Sequence, residues 1–324
     1  MSAQRERIED NDAGRAAGPA ARPSFSVVIP TYNEASDVGE TIAHVLAQTV
    51  PVVDIVVVDG GSKDGTLALL RRHARDPRVQ VIEEGRRRGV SAARNAGIRA
   101  CTGDIVVILN ADVLLPPDFI ARLIPLYQQD IDLVSVESRV QNTDVVPGRY
   151  LDAIHRLYYG ETTVGWSEGF SCRREAALAA TFPEEIPGAG GEDVEFVDRL
   201  LDAGYRWKVD YSIVVAHRVP DSLGGFWAQM HGRGCAVPYI EHSLKKMPLP
   251  LVTLRRVLAW GKSLATALLV VPNLVLALRT ACRSPRGLAD APAFWCAQHL
   301  QVVACRTGEF RSLRELWGRR KAAA

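Results

Sequence analysis

Three groups of polar residues stand directly after short apolar runs, where a strand would hand over to a loop. They are Pro30-Thr31-Tyr32-Asn33-Glu34, Asp59-Gly60-Gly61-Ser62-Lys63-Asp64-Gly65-Thr66 and Asn110-Ala111-Asp112. Further along, Gly191-Glu192-Asp193 opens a helical stretch and His217 closes an apolar one. Asp59 and Asp112 offer carboxylate oxygens, the donors that a hard divalent cation prefers. A carboxylate such as that of Asp193 can take the proton of a weakly nucleophilic hydroxyl. His217 can add an imidazole nitrogen, which manganese tolerates better than magnesium does. Each residue also has a plain structural use. Asp59 can cap the turn of its Gly-rich loop, Asn110 to Asp112 can turn the chain, and Asp193 can favour a helix start through the dipole.

The elements that must position these groups alternate. Apolar runs at Phe25–Pro30, Val52–Asp59, Val79–Glu83 and Ile105–Leu109 read as strands. Helical spacing is seen over Glu34–Gln48, Leu67–Arg75 and Val90–Ala100. Strands apolar on both faces and alternating with helices predict an α/β fold with a parallel sheet covered on both sides. Ligands of such sheets bind at the carboxyl ends of the strands, where the polar groups lie. Beyond Pro117 the pattern predicts helices near Asp118–Gln129, Arg149–Tyr159 and Asp193–Ala203. It predicts strands near Leu133–Glu137, Arg206–Asp210 and Ile213–Ala216, with a loop over Phe182–Gly191.

The run SVVIPTYNEA, VVVDGGSKDGT, GVSAARNAGI, GDIVVILNADV and GEDVEFVDRLLDAGY, in that order from about Ser24 to His217, resembles the family-2 glycosyltransferases with a GT-A fold. The resemblance implies a Rossmann-like, mostly parallel central sheet covered by helices. It implies inverting transfer of a sugar, a hexose foremost, from a nucleotide-diphospho-sugar to a hydroxyl acceptor, with Mn2+ or Mg2+ on the diphosphate. It places Pro30, Thr31, Glu34, Asp59, Arg94, Asn110 and Asp112 around the donor, with Asp59 on the nucleobase. It makes Asp112 and His217 metal ligands, Asp193 the catalytic base and Glu192 an acceptor contact. Trp166 and Phe170 are added as acceptor contacts, because aromatic rings stack on sugar faces; either can equally be a core ring. The sequence departs from the family pattern twice, at Gly60 and at Asn110, where acidic residues are usual. Those departures keep open a catalytically impaired nucleotide-sugar or polysaccharide-binding module. A nucleotidyltransferase is disfavoured, since no Gly-rich, Lys-containing phosphate loop follows the first strand.

The 324 residues, 47% hydrophobic and 23% charged, exclude a disordered chain, a collagen and a small disulfide scaffold. The net charge of +2 is unevenly spread: from Lys245 onward there are 14 basic and 3 acidic residues, leaving 25 and 34 before it. That asymmetry predicts a basic tail that meets an anionic partner; nothing points to nucleic acid. Residues 1–23, polar and without an apolar core, read as a disordered leader and not as a secretory signal. Six cysteines without a CxxC pair predict a reduced set and a cytoplasmic protein. The expected organisation is leader 1–23, GT-A catalytic domain 24–220, an active-site and linker segment 221–244, and a basic, apolar helical tail 245–324. In the tail, Ser263–Leu278 carries no charge but is short of the roughly 20 apolar residues of a spanning helix. Flanked by Lys262 and Arg279, it predicts peripheral attachment at the inner face of the plasma membrane, beside a lipid-linked acceptor.

Overall fold

The computed structural model describes residues 22–158, 168–186 and 190–323. The expected leader, up to residue 21, and Trp166 lie outside the described residues. The chain forms two compact units, interleaved in sequence. The first comprises the described residues of Met1–Arg139, Thr163–Pro183 and Glu192–His217; the second those of Val140–Thr162, Glu184–Gly191 and Arg218–Ala324.

The first unit is built on eight strands: β1 (Phe25–Thr31), β2 (Asp54–Asp59), β3 (Val79–Glu83), β4 (Ile105–Ile108), β5 (Val113–Leu114), β6 (Leu133–Val140, reaching the second unit at its last residue), β7 (Phe170–Arg173) and β8 (Trp207–His217). Their order is β3-β2-β1-β4-β7-β6-β8-β5. β3, β2, β1 and β4 pair in parallel, whereas β4–β7, β7–β6 and β5–β8 are antiparallel. The sheet is therefore mixed, parallel over β3, β2, β1 and β4 and antiparallel at β7 and at the β5–β8 pair. Three elements of this unit escape sequence expectation: β5, β7 and the helix α6 (Arg174–Ala180). The two strands expected at Arg206–Asp210 and Ile213–Ala216 are one, β8, because the intervening residues stay extended.

The remaining helices of this unit are α1 (Val38–Leu46), α2 (Thr66–His73), α3 (Val90–Ala100), α4 (Phe119–Tyr127) and α7 (Glu192–Asp202). Alternate strand residues feed opposite faces, as the two-residue period of a strand requires. Val27, Ile29, Ile55 and Val57 bury against Val38, Ile42 and Val45 of α1, Leu70 of α2 and Phe119 of α4. Val28, Val56 and Val58 share the other core with Ile98 of α3, Ala176 of α6 and Phe196 and Leu200 of α7. Both faces are dry, so the β-branched runs need no polar alternation.

The second unit is helical: α5 (Val146–Tyr158), α8 (Leu223–Tyr239) continued by a π-helical turn at Ile240–Leu244, α9 (Leu249–Ala267), α10 (Val270–Ala281) and α11 (Ala291–Ala323). Its core joins Tyr150 of α5, Phe226 of α8 and Phe294 of α11, with ring centroids 5.8 Å (Tyr150–Phe226) and 5.4 Å (Tyr150–Phe294) apart at steep angles. α8 and α11 approach closely through paired glycines. A Cβ on Gly234 would meet the Cys305 carbonyl oxygen at 2.0 Å, and one on Gly308 the His231 carbonyl oxygen at 2.2 Å. A buried ion pair ties α5 to the segment before α11: Arg149 Nε donates to Asp290 Oδ2 at 2.8 Å. All six cysteines are free.

Candidate active site

The first two strands end side by side, with Thr31 opposite Asp59. The loops that follow are stitched together by their own polar side chains. Asn33 N donates to Ser62 Oγ at 2.9 Å, Lys63 N to Asn33 Oδ1 at 2.8 Å and Glu34 N to Thr66 Oγ1 at 2.9 Å. Asp64 accepts from Ala35 N and from Thr66 N, both at 3.1 Å, which fixes the turn into α2. The Asn33-Glu34 and Ser62-Lys63-Asp64-Gly65-Thr66 pattern thus builds one rigid rim. Arg87 lays its guanidinium over the Tyr32 ring at 4.6 Å on the same rim.

Asp59 divides its two carboxylate oxygens. Its Oδ2 accepts from Gly61 N at 2.9 Å and Ser62 N at 3.0 Å, which caps the turn. Its Oδ1 is buried with no hydrogen-bond partner among the described residues. A buried acceptor without a donor is costly, so this oxygen is suited to an N–H of a ligand. Thr31 is buried, with its hydroxyl on the Val58 carbonyl at 3.3 Å, and Pro30 and Glu34 are half-buried beside it.

Arg94 is corrected from a direct donor contact to an internal brace. It is 2% exposed on α3. Its Nη1 donates to Glu192 Oε1 at 2.8 Å and its Nη2 to Asn110 Oδ1 at 2.9 Å, and its guanidinium lies 5.1 Å from the Phe182 ring centroid. Glu192, expected at the acceptor, is 3% exposed and is the other half of this ion pair. One buried Arg therefore joins the end of β4 to the first turn of α7, holding Asn110 and Asp193 in fixed relation. Removing either charge would strand the other in the interior, a loss of about 3–5 kcal/mol. Phe170 is corrected likewise: it is 2% exposed on β7 and packs edge-on to Phe196, with centroids 6.1 Å apart, so it presents no face to a sugar.

Asp112 and His217 lie near each other. β5 pairs with β8 so that Val113 lies opposite His217. Asp112 Oδ1 is buried with no hydrogen-bond partner among the described residues. His217 Nδ1 is within 2.8 Å of Ser138 Oγ and 3.9 Å of Glu168 Oε2. Held this way, the ring would use Nε2 toward a metal, the arrangement by which a neighbour fixes a ligating histidine. The donor set fits a divalent cation incompletely. No group of three or more His, Cys, Asp or Glu among the described residues converges to hold one unaided. A cation here would depend on further oxygens, such as those of a diphosphate.

Three carboxyl groups of this region are held above the ordinary range. Asp112 is pushed up to about 7, chiefly by burial and further by the charges of Glu168 and Glu34, against the pull of His217. Glu34 reaches about 7 through burial and the neighbouring Asp37 and Asp64. Asp193 reaches about 6 through burial and Glu192, with Arg94 opposing. Glu168 acts on both Asp112 and Asp193, so one acidic centre joins the strand ends and the start of α7. Neither Glu168 nor Ser138 carries a local sequence signal; Ser138 comes in on β6, the neighbour of β8, and Glu168 just before β7, the next strand.

The sign of the resulting pH dependence follows. The folded chain holds more protons than the unfolded chain between roughly pH 4 and 7, because unfolding returns these groups to the ordinary range. The stabilisation is complete below that window and is lost as pH rises through about 6 to 7. Metal-free protein should therefore melt at a lower temperature at about pH 8 than at about pH 5.5. Differential scanning fluorimetry across that range checks this, and a melting temperature that rises instead would contradict the clustering of the three carboxyls.

Residues 26–185 match the family model described as Glycosyl transferase family 2. The succinoglycan biosynthesis protein ExoO of Rhizobium meliloti (strain 1021) is 38% identical over 124 residues, 38% of this chain and 34% of its own. An undecaprenyl-phosphate 4-deoxy-4-formamido-L-arabinose transferase of Pseudomonas syringae pv. syringae (strain B728a) is 38% identical over 125 residues, 36% of this chain and 37% of its own. The chain thus spans little more than a third of the length of these two relatives. Among solved structures, a mannosyltransferase of Pyrobaculum calidifontis in complex with GDP-Man and Mn2+ superposes with a TM-score of 0.59, covering 96% of this chain and 92% of its own at 24% identity. That likeness establishes the GT-A architecture.

Proposed function

We propose that this chain, a member of glycosyl transferase family 2 through residues 26–185, moves a sugar from a nucleotide-diphospho-sugar to a hydroxyl acceptor. The observation that carries the proposal is the acidic centre. Asp193, basic beyond an ordinary aspartate, and Asp112, with an oxygen that has no partner among the described residues, share the neighbour Glu168. The Asp59 oxygen likewise left without a partner takes a nucleobase N–H, and Pro30, Thr31 and Glu34 line the donor beside it. Asn110, braced by Arg94, faces the ribose.

Asp112 and His217 would hold a divalent cation, Mn2+ or Mg2+, which when bound neutralises charge on the leaving diphosphate. Asp193 accepts the acceptor hydroxyl proton as its oxygen forms a bond to the anomeric carbon. The bond from that carbon to the diphosphate breaks, its electron pair leaving with the phosphate oxygen. A single displacement of this kind inverts the anomeric centre. The arrangement of Arg94, Glu192 and Asn110 fixes where Asp193 stands, which is how a carboxylate gains effective concentration over water. A lipid-linked acceptor at the cytoplasmic face is the reading favoured by the undecaprenyl-phosphate transferase among the relatives.

Asn110, standing where the family has a carboxylate, supports a second reading in which the fold binds nucleotide sugars without turning them over. Nucleotide binding is tested by thermal shift with UDP, GDP and their sugars, with and without Mn2+. Stabilisation by one nucleotide family that strengthens with Mn2+ is expected. No shift with any nucleotide in either condition would remove both readings.

A further inference from the structure

The helical unit wears part of its amphipathicity inside out. On α9, Leu249 and Val252 are buried in the core at its start, and the rest of the side turned to the protein is polar and bonded. Arg256 pairs with Glu241 at 2.9 Å, Trp260 Nε1 donates to the Arg306 carbonyl at 3.3 Å, Ser263 Oγ accepts from Arg306 Nε at 3.1 Å, and Thr253 Oγ1 accepts from Trp317 at 2.9 Å. The side turned outward carries Leu251, Leu254 and Leu258 at helical spacing, with Val257 and Leu264 on the adjoining stripe. The same holds past the break. On α10, Asn273 and Thr280 face inward, with Gln298 donating to the Asn273 carbonyl at 2.9 Å, while Val271, Leu274, Val275 and Leu278 face out. Between the two helices Leu268 is 82% exposed. A solvated helix does the reverse, and apolar patches of this extent on soluble proteins mark an interaction surface.

The charges on these elements select the occupant. From Lys245 to Ala289 the chain has eight basic residues and no acidic one. Lys262, Arg279, Arg283 and Arg286 are exposed next to the apolar residues. A second copy of the chain laid on this face would set basic residue against basic residue, whereas anionic lipid headgroups complement them and acyl chains cover the leucines. No single helix among the described residues is long and apolar enough to cross a membrane, and α9 and α10 meet at 85°. The bend spreads the apolar residues over two arms, the form of an element lying in an interface.

We propose that the outward face of α9 and α10 inserts into the headgroup–acyl boundary of an anionic bilayer, with Lys262, Arg279, Arg283 and Arg286 on the lipid phosphates. The inference does not depend on the transfer reaction, since vesicle binding and turnover are measured separately. The test is flotation of the full chain with phosphatidylcholine vesicles, with and without about 30% phosphatidylglycerol. Wild type should float with the anionic vesicles. Lys262→Gln with Arg279→Gln should weaken partition about fivefold per charge, and only on anionic vesicles. Leu258→Gln, Leu264→Gln and Leu268→Gln together should lower it at least about a hundredfold on both. All three leucines are more than half exposed, so an unchanged melting temperature should accompany the loss. Failure of wild type to float with anionic vesicles overturns the proposal. So does a wild-type dimer in light scattering that the leucine variants convert to monomer without any change in flotation.

Discussion

Asp193→Asn is expected to lower sugar transfer by roughly 10²–10⁴-fold while donor affinity stays within about twofold. Asparagine keeps the size of the side chain and the hydrogen bond that Asp193 Oδ1 accepts from Val194 N at 2.9 Å, but it cannot accept a proton. The loss should therefore fall on kcat. The pH profile adds an independent sign: wild-type kcat should fall as pH drops through about 6, where burial and Glu192 place the carboxyl, and the residual activity of the variant should lack that limb. Equal collapse of donor affinity and turnover would make Asp193 a structural or donor-contacting residue and move the base elsewhere.

Asp112→Asn should abolish stimulation by Mn2+ and lower transfer by roughly 10²–10³-fold, the scale of losing a charge aimed at a leaving group. The amide is nearly isosteric, and Asp112 is desolvated in an acidic setting. The metal-free variant should consequently be no less stable than wild type above about pH 7, where the native carboxylate is held charged against its surroundings. Calorimetric titration of Mn2+ in the presence of nucleoside diphosphate reads the site without activity. Unaltered Mn2+ affinity in the variant would remove Asp112 from the metal.

Much of the catalytic half was legible because each apolar run ends in its own polar group. β3 and α3 have the bounds that periodicity predicts, and β1 and β2 end at the residues expected to face a ligand. Asp112 and His217 were expected as ligands of one metal, and the pairing of Val113 with His217 brings the two residues near each other. What was not legible depends on partners distant in sequence. An Arg on an Ala-rich helix reads as a surface or ligand-facing charge; Arg94 is buried because Glu192, 98 positions away, lies opposite it. Phe170 reads as a ring available to sugar until β7 is found to pair with β4, which puts it in the core. β5 and β7 were missed because strands of two and four residues have too little alternation to register. Residues 221–244 read as an active-site and linker segment, yet Leu223–Tyr239 are helical in α8, where Gly234 allows contact with α11. The uncharged stretch Ser263–Leu278 was plain in sequence; that it breaks at Leu268–Leu269 and turns its leucines outward was not.

The central claim, transfer from a nucleotide-diphospho-sugar at the Asp112–Asp193 centre, is tested most directly by the nucleoside diphosphate released from a panel of nucleotide sugars with Mn2+ present. The account predicts release from one nucleotide family, slow without acceptor because water then replaces the hydroxyl, faster with a lipid-linked or glycan acceptor, and reduced to background in Asp193→Asn. No release from any donor by wild type, under conditions where a nucleotide demonstrably binds, would contradict it and leave a binding module.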